Sequence, residues 1–243
     1  MRKILATLAL ALALIVPLAA RAAGTPQPAG WKALLIAGDD RELAFDDAVD
    51  AMARKLEDFG VPSGDITVLK SSGDAGDAAT RANVEAAFAD LHPGPADGCF
   101  VFVTSHGAEG RGLFIRRANA FLSPHTLNVL LGRGCGRQPS VVIASGCYSG
   151  IFAEGPPLAA ANRVILTAAR DDRPSFGCNA NLKYTVFDHC ILDNLRRGEM
   201  WRMVMAKTRA CVSGNEWDMR VRYPSEPQLA VGAGVATLRA FAR

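Results

Sequence analysis

The chain has 243 residues, of which 49% are hydrophobic and 21% charged, and its formal net charge is +3. That apolar fraction suffices for a sizeable core and excludes global disorder. Lys and Arg are scattered apart from short pairs such as Arg116-Arg117 and Arg196-Arg197. No basic stripe suited to a phosphate backbone results, and nucleic acid is not an expected partner.

The first 23 residues read as a secretory signal. Arg2 and Lys3 precede an apolar run from Ile4 to Leu18, and small residues follow at Ala20-Arg21-Ala22-Ala23. A basic start, a hydrophobic stretch and a small-residue cleavage site form that pattern. The run is shorter than the roughly 20 residues a membrane-spanning helix needs. The mature protein is expected to begin near Ala23 or Gly24, to keep no membrane span and to be periplasmic or secreted, with 24–243 as a single domain.

Trp31 to Gly38 reads as a buried strand ending in a Gly-Asp-Asp turn, where Asp39 and Asp40 are expected to cap the next helix. Phe45, Val49, Met52, Leu56 and Phe59 stand at helical spacing, and Gly60 closes that helix. Asp65 to Lys70 is a second strand. Val84, Phe88 and Leu91 mark a second helix, stopped by Pro93, and Cys99 to Thr104 is a third strand, apolar on both faces. Leu113 to Ile115 suits a short hairpin strand. Ser123-Pro124 opens a helix, with Ser as cap and Pro in the first turn. Ser140 to Ala144 and Arg163 to Ala168 are further buried strands. Lys183 to Leu195 and Met200 to Val212 read as helices, with Trp201 and Trp217 as packing residues, and Gln228 to Val235 as a last strand. Strands apolar on both faces and alternating with helices imply an α/β fold, a mostly parallel sheet covered on both sides.

In such sheets the site lies beyond the carboxyl ends of the strands. The third strand runs into Ser105-His106-Gly107 and the fourth into Ser145-Gly146-Cys147-Tyr148-Ser149-Gly150. If these strands are neighbours, an imidazole and a thiol meet at one rim. A free thiol is only a few per cent thiolate at neutral pH. A nearby His raises that fraction and later protonates a leaving amine. The backbone N–H groups of Gly107 and Cys147, both in tight turns, are the natural donors to the oxygen on which negative charge develops. A helix following Gly150 would further favour the thiolate. Six cysteines are present, and with Cys147 free at least one other stays unpaired, the pairing being unreadable from sequence. There is no CxxC or HxxxH spacing, so neither a metal nor another cofactor is expected.

At these residues the chain resembles the caspase–hemoglobinase group of cysteine peptidases, and within it the legumain family, especially its bacterial members. The resemblance rests on Ser105-His106-Gly107 after one strand and Gly146-Cys147 after the next. It extends through Leu166-Thr167-Ala168-Ala169-Arg170, Ser175-Phe176-Gly177-Cys178, and Pro224-Ser225-Glu226-Pro227-Gln228 with Gly232. It implies a three-layer α/β/α sandwich of caspase-like form. It also implies a Cys147–His106 dyad without metal, and hydrolysis of a peptide or protein substrate through an acyl-enzyme, transamidation being the variant found in some relatives. Plant and animal legumains read an Asn side chain with an Arg and two acidic residues. The Arg position falls here near Phe45, with Arg41 close by in the same loop. The acid two before the nucleophile is replaced by Ser145, and Asp188 matches the downstream acid. An α/β-hydrolase elbow would need glycine where Ser145 and Ser149 stand. A binding module that kept a peptidase fold is the non-enzymatic alternative.

Overall fold

The structure, a computed structural model, describes residues 27–178 and 182–242. The expected signal segment lies outside them. β1 (Trp31–Ala37), β2 (Ile66–Lys70), β3 (Gly98–Thr104), β7 (Ser140–Ser145), β8 (Arg163–Thr167) and β9 (Leu229–Val231) form one sheet in the order β2-β1-β3-β7-β8-β9. All pairs are parallel except β8 with β9. Every residue of β3, β7 and β8 is buried. This is why these strands read as continuous apolar runs, since helices close both faces of a parallel sheet.

Alternation along the strands builds two cores. Leu35, Phe100, Phe102, Ile143 and Leu166 face one layer, made by α1 (Leu43–Asp58), α4 (Val186–Asn194) and α5 (Trp201–Asp218). Leu34, Ile36, Val101, Val103, Val142 and Ile165 face the other, made by α2 (Arg81–Ala89) and α3 (Pro124–Gly134). Local chemistry sets the helix starts. Thr80, Ser123 and Thr185 each accept a hydrogen bond from the backbone N–H three residues on, and Pro124 opens α3. Gly60, at φ 90°, ends the turn after α1.

The 41-position interval from His106 to Cys147 holds more than the single expected helix. Besides α3 it forms an antiparallel ribbon of β4 (Gly107–Ala108), β5 (Gly112–Ile115) and β6 (Ala120–Leu122). Two disulfides join Cys99 to Cys135 and Cys190 to Cys211, leaving Cys147 and Cys178 free. The first ties α3 to the start of β3, and the second ties α4 to α5.

Four expectations are corrected. Asp39 does not cap α1. Its carboxylate accepts from the N–H and side chain of Arg41, and Glu42 stands at the cap position without a side-chain bond. Gly150 lies within a four-residue 3-10 helix, Ser149–Phe152, too short for a helix macrodipole. Trp201 is buried as expected, whereas Trp217 is 83% exposed at the outer end of α5. The last strand is also shorter than its sequence pattern, because the chain passes from Val231 into a 3-10 turn at Ala233–Val235.

Candidate active site

β3 and β7 are neighbours, with Thr104 paired to Ser145. The Ser105 N–H donates to the Ser145 carbonyl at 3.0 Å, so pairing continues one step further. His106 and Cys147 each stand two residues beyond that register pair. The turns that carry them touch: a Cβ placed on Gly107 would lie 1.9 Å from the Cys147 carbonyl oxygen and 3.2 Å from its nitrogen. A Cβ on Gly146 would meet the Ser105 carbonyl at 2.5 Å. Only glycine permits this approach of backbone to backbone.

The His106 ring meets Phe45 edge-on, with centroids 5.2 Å apart, which sets it toward the α1 side of the sheet. The Phe114 N–H donates to the His106 carbonyl, making that a hydrogen-bonded pair of the ribbon. By antiparallel alternation the next pair, Gly107 with Leu113, exchanges no such bonds, and the Gly107 N–H turns away from β5. Among the described residues the Cys147 N–H donates to no backbone carbonyl. Both amides thus lack a backbone acceptor among the described residues.

Cys147 is half-buried, and Ser175 holds its sulfur. The Ser175 N–H donates to Sγ at 3.3 Å, and the Ser175 carbonyl lies 3.5 Å from it. The segment after β8 clamps the Cys147 turn at two more points. The N–H of Tyr148, which adopts φ 57°, donates to the Arg173 carbonyl at 2.8 Å. Ser149 Oγ accepts from the N–H groups of Ala168 and Ala169. Sequence reasoning noted this segment for family likeness but did not see Ser175. A Ser-Phe-Gly run carries no local sign of touching a cysteine 28 positions earlier.

The remaining candidates separate. Arg41, 59% exposed, is engaged by the fully buried Asp39. Burial would lift the Asp39 carboxyl, but the Arg41 hydrogen bonds and charge, with His106 nearby, hold it below the usual carboxylate range. Ser145 and Asp188 come together. Thr104 Oγ1 donates to Asp188 Oδ2 at 2.6 Å, and the Ser145 hydroxyl faces the same carboxylate. Asp188 is fully buried, and among the described residues its Oδ1 has no partner at ordinary hydrogen-bond geometry. Burial pushes its pKa up to about 6, the hydroxyls of Thr104, Ser145 and Thr185 only partly opposing. The Cys178 thiol is pushed up to about 12 by burial and by the neighbouring charges of Cys147, Asp188 and Glu42.

A parallel sheet that presents a His-Gly turn against a Gly-Cys turn defines a caspase-like α/β fold. Caspase-1 from Spodoptera frugiperda has a similar structure, with a TM-score of 0.63 at 13% identity over 90% of this chain and 92% of that one. The Peptidase C13 family model matches residues 75–208, a span that holds His106, Cys147 and Asp188. The chain belongs to that family, the legumain family of cysteine peptidases. No curated protein matches it.

Proposed function

We propose that the protein is an endopeptidase that uses Cys147 as nucleophile and His106 as its acid–base partner. The observation that carries this is the contact of Gly107 with the backbone of Cys147 at the rim of two in-register strands. The Cys147 thiolate adds to the substrate carbonyl carbon, and the N–H groups of Gly107 and Cys147 receive the developing oxyanion. His106 gives a proton to the leaving amine, leaving an acyl-enzyme that water, activated by the same imidazole, resolves. The Ser175 N–H donates to the sulfur and holds it in place before attack. An amine in place of water would give transamidation from the same intermediate, and product analysis with added amine reads that partition.

Peptide-library profiling of wild type and variants tests the assignment. Cys147→Ala is expected to abolish turnover. His106→Ala is expected to lower the acylation rate by about three orders of magnitude while the far-UV spectrum stays native. Equal turnover by wild type and Cys147→Ala would defeat the assignment.

Export belongs to the same proposal. The basic-apolar-small start of the chain and the two disulfides favour an oxidising compartment. The mass of protein recovered from outside the cytoplasm should correspond to a start near Ala23 or Gly24, and an uncut mass would refute cleavage.

A further inference from the structure

Large hydrophobic side chains exposed to solvent are few among the described residues, and they are unevenly spread. Three of these six, Trp217, Met219 and Tyr223, lie at the end of α5 and in the turn after it, and Trp217 is the most exposed of all. The backbone that carries them is well held. The Arg220 N–H donates to the Trp217 carbonyl and the Val221 N–H to that of Glu216, both at 2.9 Å, which closes α5 with Arg220 at φ 56°. Glycine is the usual residue at such a position. The buried Glu216 carboxylate accepts from the Ser225 N–H, and the Ser225 carbonyl accepts from the Arg170 N–H. Arg220 and Arg222 are exposed, and among the described residues neither makes an ion pair, whereas Arg170 and Arg173 are engaged by Asp172. Asp218 is the one exposed acid between Trp217 and Pro224. The Tyr223 ring centroid lies 5.2 Å from the guanidinium of Arg222 and 5.6 Å from that of Arg173. Arg173 also holds the Cys147 turn through its carbonyl, so the patch adjoins the active-site rim.

We propose that this end of α5 is a docking surface for an anionic phospholipid bilayer. A ring as exposed as Trp217 is not walled in by its own protein; it enters what it binds. Indole and phenol rings settle at the headgroup level of a bilayer. Guanidinium groups at the same level donate paired hydrogen bonds to phosphate and are drawn to anionic lipid. Two arginines against one aspartate supply that charge complementarity. An Arg where the backbone favours glycine fits this use, because its side chain serves something outside the helix. An acidic polypeptide would engage the two arginines but leave Trp217 and Met219 in water. None of the described helices is long and apolar enough to cross a membrane, so the contact is peripheral. The Arg173–Tyr223 contact then sets the Cys147 turn beside the lipid surface. The proposal concerns binding and stands apart from the peptidase reading.

The test uses residues 24–243, which hold the whole described fold and leave out the apolar run that would bind lipid by itself. Vesicles of equimolar phosphatidylglycerol and phosphatidylcholine are compared with vesicles of phosphatidylcholine alone. Co-sedimentation is expected to be about tenfold tighter with the anionic vesicles and to weaken with added salt. Trp31 and Trp201 are buried, so a blue shift of tryptophan emission on binding reports Trp217. Trp217→Ala is expected to abolish the shift and weaken sedimentation about tenfold. Arg220→Gly combined with Arg222→Gln is expected to erase the preference for anionic vesicles, with native far-UV spectra in all variants. Equal binding to the two vesicle types, binding to neither, or a preference that survives the double substitution overturns the proposal. Self-association that Trp217→Ala abolishes, or capture of soluble polyglutamate, in place of vesicle binding overturns it in favour of a second copy or an acidic polypeptide.

Discussion

Two carboxylates at the same rim are both fully buried, yet the fold treats them in opposite ways. Asp39, at the end of β1, accepts hydrogen bonds from the backbone and guanidinium of Arg41 and is held as the anion. Asp188, on the first turn of α4, has hydroxyl partners for part of its capacity and is pushed toward the neutral acid. Burial alone therefore does not fix the state of an acid. A charged donor within reach does.

Substitutions at the two acids should move stability in opposite directions. The largest effect is expected at Asp188. Between the ordinary carboxylate value of 3.8 and about 6 the folded protein keeps a proton that the unfolded chain releases. Stability therefore falls as pH rises through that window and levels off above it. Asp188→Asn removes this slope, and urea unfolding near neutral pH should show a gain of up to roughly 3 kcal/mol. A flat wild-type profile between pH 4 and 6 would remove the contrast. Asp39→Asn should act the other way and cost roughly 2 kcal/mol at neutral pH, because Arg41 loses its charged acceptor. That loss should shrink as pH falls below the ordinary carboxylate value and vanish only below the lowered value at which folded Asp39 takes up its proton. The smallest effect is expected at Thr104. Thr104→Val takes a donor from Asp188 and should cost about 1 kcal/mol, and a double-mutant cycle with Asp188→Asn should show that the two terms are coupled.

Much of the frame was legible because its signals are local. The runs at Cys99–Thr104 and Ser140–Ala144 show strands buried on both faces, and Ser123-Pro124 marks a helix start. His106-Gly107 and Gly146-Cys147 are visible at strand ends without knowing the fold. What stayed hidden depends on distant partners. Asp188 is marked in the sequence by family likeness, but its hydrogen bond from Thr104, 84 positions earlier, leaves no local trace. Asp39 reads as a cap because the competing donor, the flexible Arg41 side chain, leaves no periodic trace. Trp217 lies beyond the end of the expected helix at Val212, and α5 runs on to Asp218 with that ring facing outward. Pairing Cys190 with Cys211 required the packing of α4 on α5.

The shared parity of Thr104 with His106 and of Ser145 with Cys147 restricts how such a chain can change length. One residue inserted into β3 or β7 would swing half of the rim to the opposite helical layer, parting the ring from the sulfur and Asp188 from its donors in a single event. Insertions in the turn between β4 and β5 carry no such penalty. Length variation among natural homologues should therefore collect there and be absent from the two strands.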